Sequence, residues 1–133
     1  MALRFLLDTN ICIYIMNKRP PHVAERFAQY PPDAIGLSSV TLAELSYGVE
    51  KSCSSRNQLV LQGFIAPLEV VPFGPEAAWR YGEVRSALER RGVPIGALDT
   101  LIAAHALALD LTLVTHNTRE FERVVGLRVE NWF

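Results

Sequence analysis

The chain alternates short, continuously apolar runs with longer amphipathic stretches, and the breaks between them mark most of its elements. The run 3–7 stops abruptly at Asp8-Thr9-Asn10, which predicts a buried strand feeding a helix. That helix carries Ile11, Ile13, Tyr14 and Ile15 and ends near Asn17. Pro20-Pro21 opens a second helix with Val23, Ala24 and Phe27 inward, and Pro31-Pro32 closes it. Residues 34–37 read as a second strand, and Ser38-Ser39 starts a helix through Leu42, Leu45 and Val49. A polar break at 52–55 precedes a resumed helical pattern over 59–68, and 69–73 is a third strand. Pro75 begins a long helix that places Ala78, Tyr81, Val84 and Leu88 at core spacing, with Arg80, Arg85, Glu89 and Arg90 largely outside that stripe. The loop 92–96 leads into a strongly apolar helix from about Asp99 to Leu109. A fourth strand over 111–115, a turn at His116-Asn117-Thr118 and a short final strand at 128–130 complete the order.

Strands that are apolar at nearly every position are buried on both faces. The expected fold is therefore α/β: a three-layer α/β/α domain whose parallel sheet of four to five strands is flanked by helices. Open sheets of this kind bind ligands outside the carboxyl ends of their strands. No internal repeat, linker or low-complexity segment interrupts the pattern.

Composition alters this picture little. The chain has 133 residues, half of them hydrophobic and a fifth charged, the size and balance of one globular domain. No apolar run approaches the length of a membrane span. Residues 1–5 lead straight into the first strand, so no cleavable leader is expected. Cys12 and Cys53 stand in no metal-like or redox-like spacing and are expected as reduced thiols in a cytoplasmic protein. The net charge of −1 does not advertise nucleic-acid binding. Of the 13 basic residues 11 are Arg, the side chain that grips phosphate bidentately, so charge leaves the partner open.

Polar residues collect where such a sheet places its site. Asp8 follows the first strand and Asn117 the fourth, Glu44 lies early in the helix after the second, and Asp99 begins the apolar helix before the fourth. Each also fits a helix cap. Asp8 and Asp99 are good N-cap residues, and both Thr41-Leu42-Ala43-Glu44 and Asn117-Thr118-Arg119-Glu120 match a capping box. Capping does not require these helix starts to face one edge, but spacing alone leaves both readings standing. Thr9 and Thr115 adjoin the candidates, and their hydroxyls are suited to orient carboxylates. Ser38, Ser39 and Thr41 have no base partner and read as caps. His22, His105 and His116 share no zinc-ligand spacing. His105 reads as a core or interface residue, and His116, beside Asn117, as a structural residue or an RNA contact. No Gly-rich phosphate loop is present.

Four segments carry a resemblance. Leu6-Leu7-Asp8-Thr9-Asn10, Ser39-Val40-Thr41-Leu42-Ala43-Glu44-Leu45, Asp99-Thr100-Leu101-Ile102-Ala103-Ala104 and Leu113-Val114-Thr115-His116-Asn117-Thr118-Arg119-Glu120-Phe121 resemble, in order, the motifs of PIN-domain nucleases. The similarity is greatest to VapC-type toxins of bacterial toxin–antitoxin pairs. It runs nearly end to end, through the tail Gly126-Leu127-Arg128-Val129-Glu130-Asn131-Trp132, and implies one PIN domain over 1–133. It also implies that Asp8, Glu44 and Asp99 are the acidic residues of the site, with Asp8 and Asp99 as direct ligands of Mg2+ or Mn2+. The fourth family position, often Asp, falls here on Asn117, which lacks the charge and weakens the case for a second tightly held cation. Glu120, one turn on, fits either a replacement carboxylate or the end of a capping box.

The implied activity is metal-assisted hydrolysis of RNA, leaving a 5′-phosphate and a 3′-hydroxyl. Among these toxins the chain is similar to the group that cuts initiator tRNA in its anticodon loop. Implied partners are a VapB-type antitoxin, which commonly lays a tail across the toxin groove with Arg toward the carboxylates, and a second copy of the chain. Apolar surface near 11–15 or 59–68 is the expected dimer face. Crowded carboxylates repel one another, so at least one pKa in the site is expected to be raised.

Other classes fit less well. A receiver-like signalling domain also has acidic strand ends, but no Lys occurs after residue 51 to serve it. A haloacid-dehalogenase-like phosphatase needs Asp-x-Asp after the first strand, where this chain has Asp8-Thr9-Asn10. A degenerate PIN domain that binds RNA without cutting it is compatible with Asn117.

Overall fold

The computed structural model describes residues 2–133; Met1, where the expected domain begins, lies outside the described residues. Five strands, β1 (Phe5–Leu7), β2 (Ile35–Ser38), β3 (Glu69–Val71), β4 (Thr112–Val114) and β5 (Val129–Glu130), pair in the order β3-β2-β1-β4-β5. Every pairing is parallel. Seven helices cover the sheet: α1 (Thr9–Asn17), α2 (Pro21–Phe27), α3 (Ser39–Ser52), α4 (Ser55–Ile65), α5 (Pro75–Arg90), α6 (Ala97–Ala108) and α7 (Thr118–Phe121). The expected three-layer α/β/α architecture is thus present. Among the described residues no helix is long and apolar enough to cross a membrane.

The alternation of strand side chains divides the core. Phe5, Leu7, Ile35, Leu37 and Val114 face a cluster completed by Ile11, Ile15, Val23, Leu45 and Leu61 of α1 to α4. Leu6 and Leu113 face the opposite cluster with Val84, Leu88 and Ile102 of α5 and α6. This is the period-2 geometry of a pleated strand. All three residues of β1 are buried, so their apolar run gives no hint of which points where. At Gly36 in β2 a Cβ would stand 2.8 Å from the Glu69 carbonyl oxygen of the neighbouring strand β3 and 3.1 Å from a Leu3 methyl carbon.

Proline and left-handed residues punctuate the helices. Pro21 and Pro75 occupy first turns, where a missing N–H costs nothing. Lys18 ends α1 with φ 56°, and Cys53 ends α3 with φ 53°. Several expectations need correction. Ala78 is exposed and Ala77 is the buried alanine of α5. α4 begins at Ser55, within the expected break, because Ser54 caps it by accepting from the Asn57 N–H. Ile11 and Ile15 point inward, leaving Ile13 as the exposed large aliphatic residue of α1, while Leu59 and Val60 are exposed on α4.

Candidate active site

The carboxyl ends of β1 and β4 bring the first candidates together. Asp8 is fixed in backbone by its N–H, which donates to the Val114 carbonyl at 2.8 Å. Its side chain is buried at 5% exposure. Oδ1 accepts from the Thr9 N–H at 2.8 Å, and Oδ2 accepts from the Thr115 hydroxyl at 2.7 Å. Thr115 Oγ1 in turn accepts from the Asn117 N–H at 2.9 Å, so one hydroxyl locks both the carboxylate and the start of α7. Thr9 Oγ1 donates to Glu44 Oε1 at 2.7 Å, joining α1 to α3 across the same edge. Thr9 and Thr115, expected to orient carboxylates, each donate a hydroxyl hydrogen bond to one.

The capping alternatives separate at this point. Asp8 does cap α1. Ser38, not Thr41, caps α3 by accepting from the Val40 N–H. Thr41 lies inside the helix, buried, with a hydroxyl that makes no hydrogen bond among the described residues, and Glu44 is committed to Thr9 instead. Asp99 is the third residue of α6, which starts at Ala97 behind Gly96, so it does not begin the helix as expected. Asn117 occupies the cap position of α7 without a side-chain capping bond, and Glu120 reaches across to the Asp99 carboxyl.

Electrostatics tie the carboxyls into one group. Asp99 is pushed up to about 7, first by burial, then by the charge of Asp8, by its hydrogen bond to Glu120, and by the charges of Glu120 and Glu44. Two carboxyls can bond to each other only through a proton, so that contact favours the protonated form. Asp8 is also raised, because burial outweighs its two hydrogen bonds and the charges of Glu44 and Glu120 add to the effect. The expected upward shift is present, with burial rather than repulsion as its largest cause. Asp8, Glu44, Asp99 and Glu120 therefore feel one another; the side chain of Asn117 is tied to none of them by a hydrogen bond among the described residues.

This donor set suits a hard divalent cation, since Mg2+ and Mn2+ prefer carboxylate oxygen and water. Among the described residues no three His, Cys, Asp or Glu side chains close tightly enough to hold an ion by themselves. Mg2+ takes only one or two carboxylates and completes its shell with water. A bound cation would also relieve the burial and repulsion that raise both Asp8 and Asp99.

Among the described residues none of the three histidines hydrogen-bonds to these carboxyl groups. His105 is buried, its Nδ1 is 2.8 Å from Ser38 Oγ, and burial lowers its pKa; it is a neutral core residue. His22 and His116 are exposed and pack against Phe133. Two arginines brace the site's far side: Arg123 donates to the Pro94 carbonyl at 3.1 Å, and Arg91 to the Arg123 carbonyl at 2.7 Å. These bonds tie the loop before Asp99 to the segment just after Glu120. Separations of 29 and 32 residues leave no local signal for them in the sequence. Beside the carboxylates, a groove of about 270 Å³ runs from Thr9 and Glu44 between α1, α3 and α4, walled by Ile13, Met16, Val49 and Val60.

Comparison with known proteins places this arrangement. The PIN domain family matches residues 5–127. The chain is 46% identical over 131 residues to the tRNA(fMet)-specific endonuclease VapC of Salmonella typhimurium, covering 98% of each chain. It is 44% identical over 130 residues to Ribonuclease VapC2 of Rickettsia felis, covering 96% of this chain and 97% of that one. DNA-bound VapBC from Salmonella typhimurium is similar with a TM-score of 0.91 at 45% identity, covering 98% of this chain and 99% of that one. VapBC2 from Rickettsia felis, bound to a DNA fragment from its promoter, gives 0.90 at 41%, covering 98% and 100%. With the domain match spanning nearly the whole chain and these relatives aligned end to end, the chain belongs to the PIN-domain family.

Proposed function

We propose that the chain is a toxin endoribonuclease that hydrolyses RNA phosphodiester bonds with the help of Mg2+ or Mn2+. The observation that carries this reading is the coupling of Asp8, Glu44, Asp99 and Glu120 at the carboxyl edge of the sheet, with Asp99 raised to about 7. A site with one buried and three half-buried carboxyl groups is short of positive charge. The relatives named as endonuclease and ribonuclease support the activity, and the tRNA(fMet) named for one of them supports initiator tRNA as substrate.

Asp8 and Asp99 would hold the cation. When bound, it supplies Lewis-acid stabilisation of the charge that builds on the phosphate and eases deprotonation of the attacking water. The Thr115 hydroxyl and the Thr9 N–H hold Asp8 in a single orientation. Thr9 turns Glu44 so that Oε1 is engaged and Oε2 is left to accept a proton from the water. Glu120 supplies the fourth carboxyl, the place expected of Asn117, by its contact with Asp99. Asn117, held through its N–H on Thr115, positions the start of α7 rather than contributing charge.

The related structures contain the VapB partner, and we place a VapB-type antitoxin on this chain in the groove beside Thr9 and Glu44. A partner arginine entering from that groove would meet the carboxylates as a bidentate counter-ion. A second copy of the chain would use the exposed Leu59 and Val60 of α4.

The test uses the full chain freed of antitoxin, total tRNA, and Mg2+ or Mn2+ with and without chelator. Discrete fragments that require the cation and vanish in both Asp8→Asn and Asp99→Asn are expected. Intact RNA under every condition would overturn the reading in favour of a binding module.

A further inference from the structure

One exposed cluster lies at the same edge and has no part in the chemistry above. The rings of His116 and Phe133 pack closely at a tilt, 4.0 Å between centroids and 36° between planes. Tyr14 supports both, at 6.0 Å from His116 and 5.1 Å from Phe133. His116 is exposed and Phe133 is 47% exposed. The position is set by the site itself: His116 follows Thr115, whose hydroxyl holds Asp8, and its backbone N–H points at Asn10 Oδ1, two residues beyond Asp8.

We propose that the His116–Phe133 pair is a stacking subsite for an unpaired nucleobase of the RNA, next to the scissile phosphate. This rests on the ribonuclease reading and adds where the substrate's base is held. Unpaired bases are bound by stacking on aromatic faces and by hydrogen bonds to their edges. Both are provided, since the Asn10 and Asn131 amides border the rings and Asn131 Nδ2 lies 3.5 Å from His116 Nδ1. Rings edged by amides suit a base better than a protein helix, whose aliphatic anchors match the Ile13, Met16 and Val60 groove on the other side of α1. The favoured substrate is thus a loop or single strand in which the base beside the cut is free to unstack.

The test titrates the full, antitoxin-free chain against an anticodon-arm RNA hairpin carrying 2-aminopurine at successive loop positions, in EDTA so that nothing is cut. The wild type is expected to quench the probe at one position and its neighbour. In His116→Ala and Phe133→Ala that quench is lost, binding weakens about tenfold, and in Mg2+ KM rises about tenfold with kcat within about twofold, as the loss of one stacked base predicts. His116→Phe, which keeps an aromatic face, restores quench and KM, and thermal melts check that each variant is folded. Wild-type cleavage accompanied by unchanged quench and KM in both alanine variants would overturn the subsite. So would a change confined to sedimentation, which would make the patch a protein contact. If the wild type neither binds nor cuts RNA, the ribonuclease reading fails first and the subsite with it.

Discussion

Replacing Asp99 with Asn should make the metal-free protein more stable at alkaline pH while abolishing its activity. The carboxyl of Asp99 moves from 3.8 to about 7 on folding. Between those values the folded chain keeps a proton that the unfolded chain releases, so stability falls as pH rises through the window and the full penalty is felt above about 7. At about 1.4 kcal/mol per pKa unit the raw penalty is about 4 kcal/mol. Asp99 is only partly buried, so solvent screening reduces this to about 1–2 kcal/mol. Asn carries no charge and escapes it. In a domain of this size that gain amounts to a Tm increase of about 3–6 °C at pH 8 and to less than half of that at pH 5, where only the first part of the window has been crossed. The assay is thermal unfolding of wild type and Asp99→Asn in EDTA at both pH values. Adding Mg2+ at pH 8 should then raise the wild-type Tm and leave the variant nearly unmoved, since the cation binds only the folded site. A variant no more stable than wild type at pH 8, or stabilised equally at pH 5, would refute the placing of Asp99 among buried, mutually repelling carboxyls.

Thr115→Val removes the donor to Asp8 and the acceptor of the Asn117 N–H, and should cost about 1–3 kcal/mol in urea unfolding. Thr115→Ser should recover most of that loss. Thr9→Val frees Glu44 from its only hydrogen bond among the described residues; the expected result is kcat lowered about ten- to a hundredfold with KM little changed, since misplacement by about 1 Å is enough for such a loss. Gly36→Ala puts a Cβ 2.8 Å from the Glu69 carbonyl oxygen and should destabilise the sheet by about 1–3 kcal/mol by chemical denaturation.

The central strands were legible because burial on both faces keeps β1 wholly apolar and β2 free of polar side chains up to Ser38. The same uniformity hid which residue faced which helical layer, so Leu6 could not be told from Phe5 or Leu7. Phase failed where side chains are small. Ala77 and Ala78 are indistinguishable by hydropathy, and the choice between them depends on the turn that Pro75 begins. Asp99 looked like a helix start because the apolar stripe begins at Leu101. Its helix in fact opens earlier, behind Gly96, which puts the carboxyl within the first turn and facing the site. Glu120 was readable only as one of two possibilities, because its partner Asp99 belongs to another helix. Long-range partners such as Thr115 for Asp8, 107 residues away, lie outside any local pattern.

The contest between cap and catalyst at Asp8 turns out to be no contest. A helix that starts at the carboxyl end of a parallel strand offers its first N–H to one oxygen of the residue before it, and Oδ1 of Asp8 takes that bond. The other oxygen faces the strand next door, where Thr115 meets it. Two such bonds favour the ionised form, yet the group is raised, since burial and the charges of Glu44 and Glu120 outweigh them. The fold thus spends helix-capping geometry on holding a carboxylate where negative charge is costly. Whatever brings positive charge to that edge is bound in proportion to this cost. A divalent cation and a partner's guanidinium would both answer the negative charge of these oxygens, so the two would compete for it. Inhibition by an antitoxin arginine would then be competition for charge and would weaken as Mg2+ is raised.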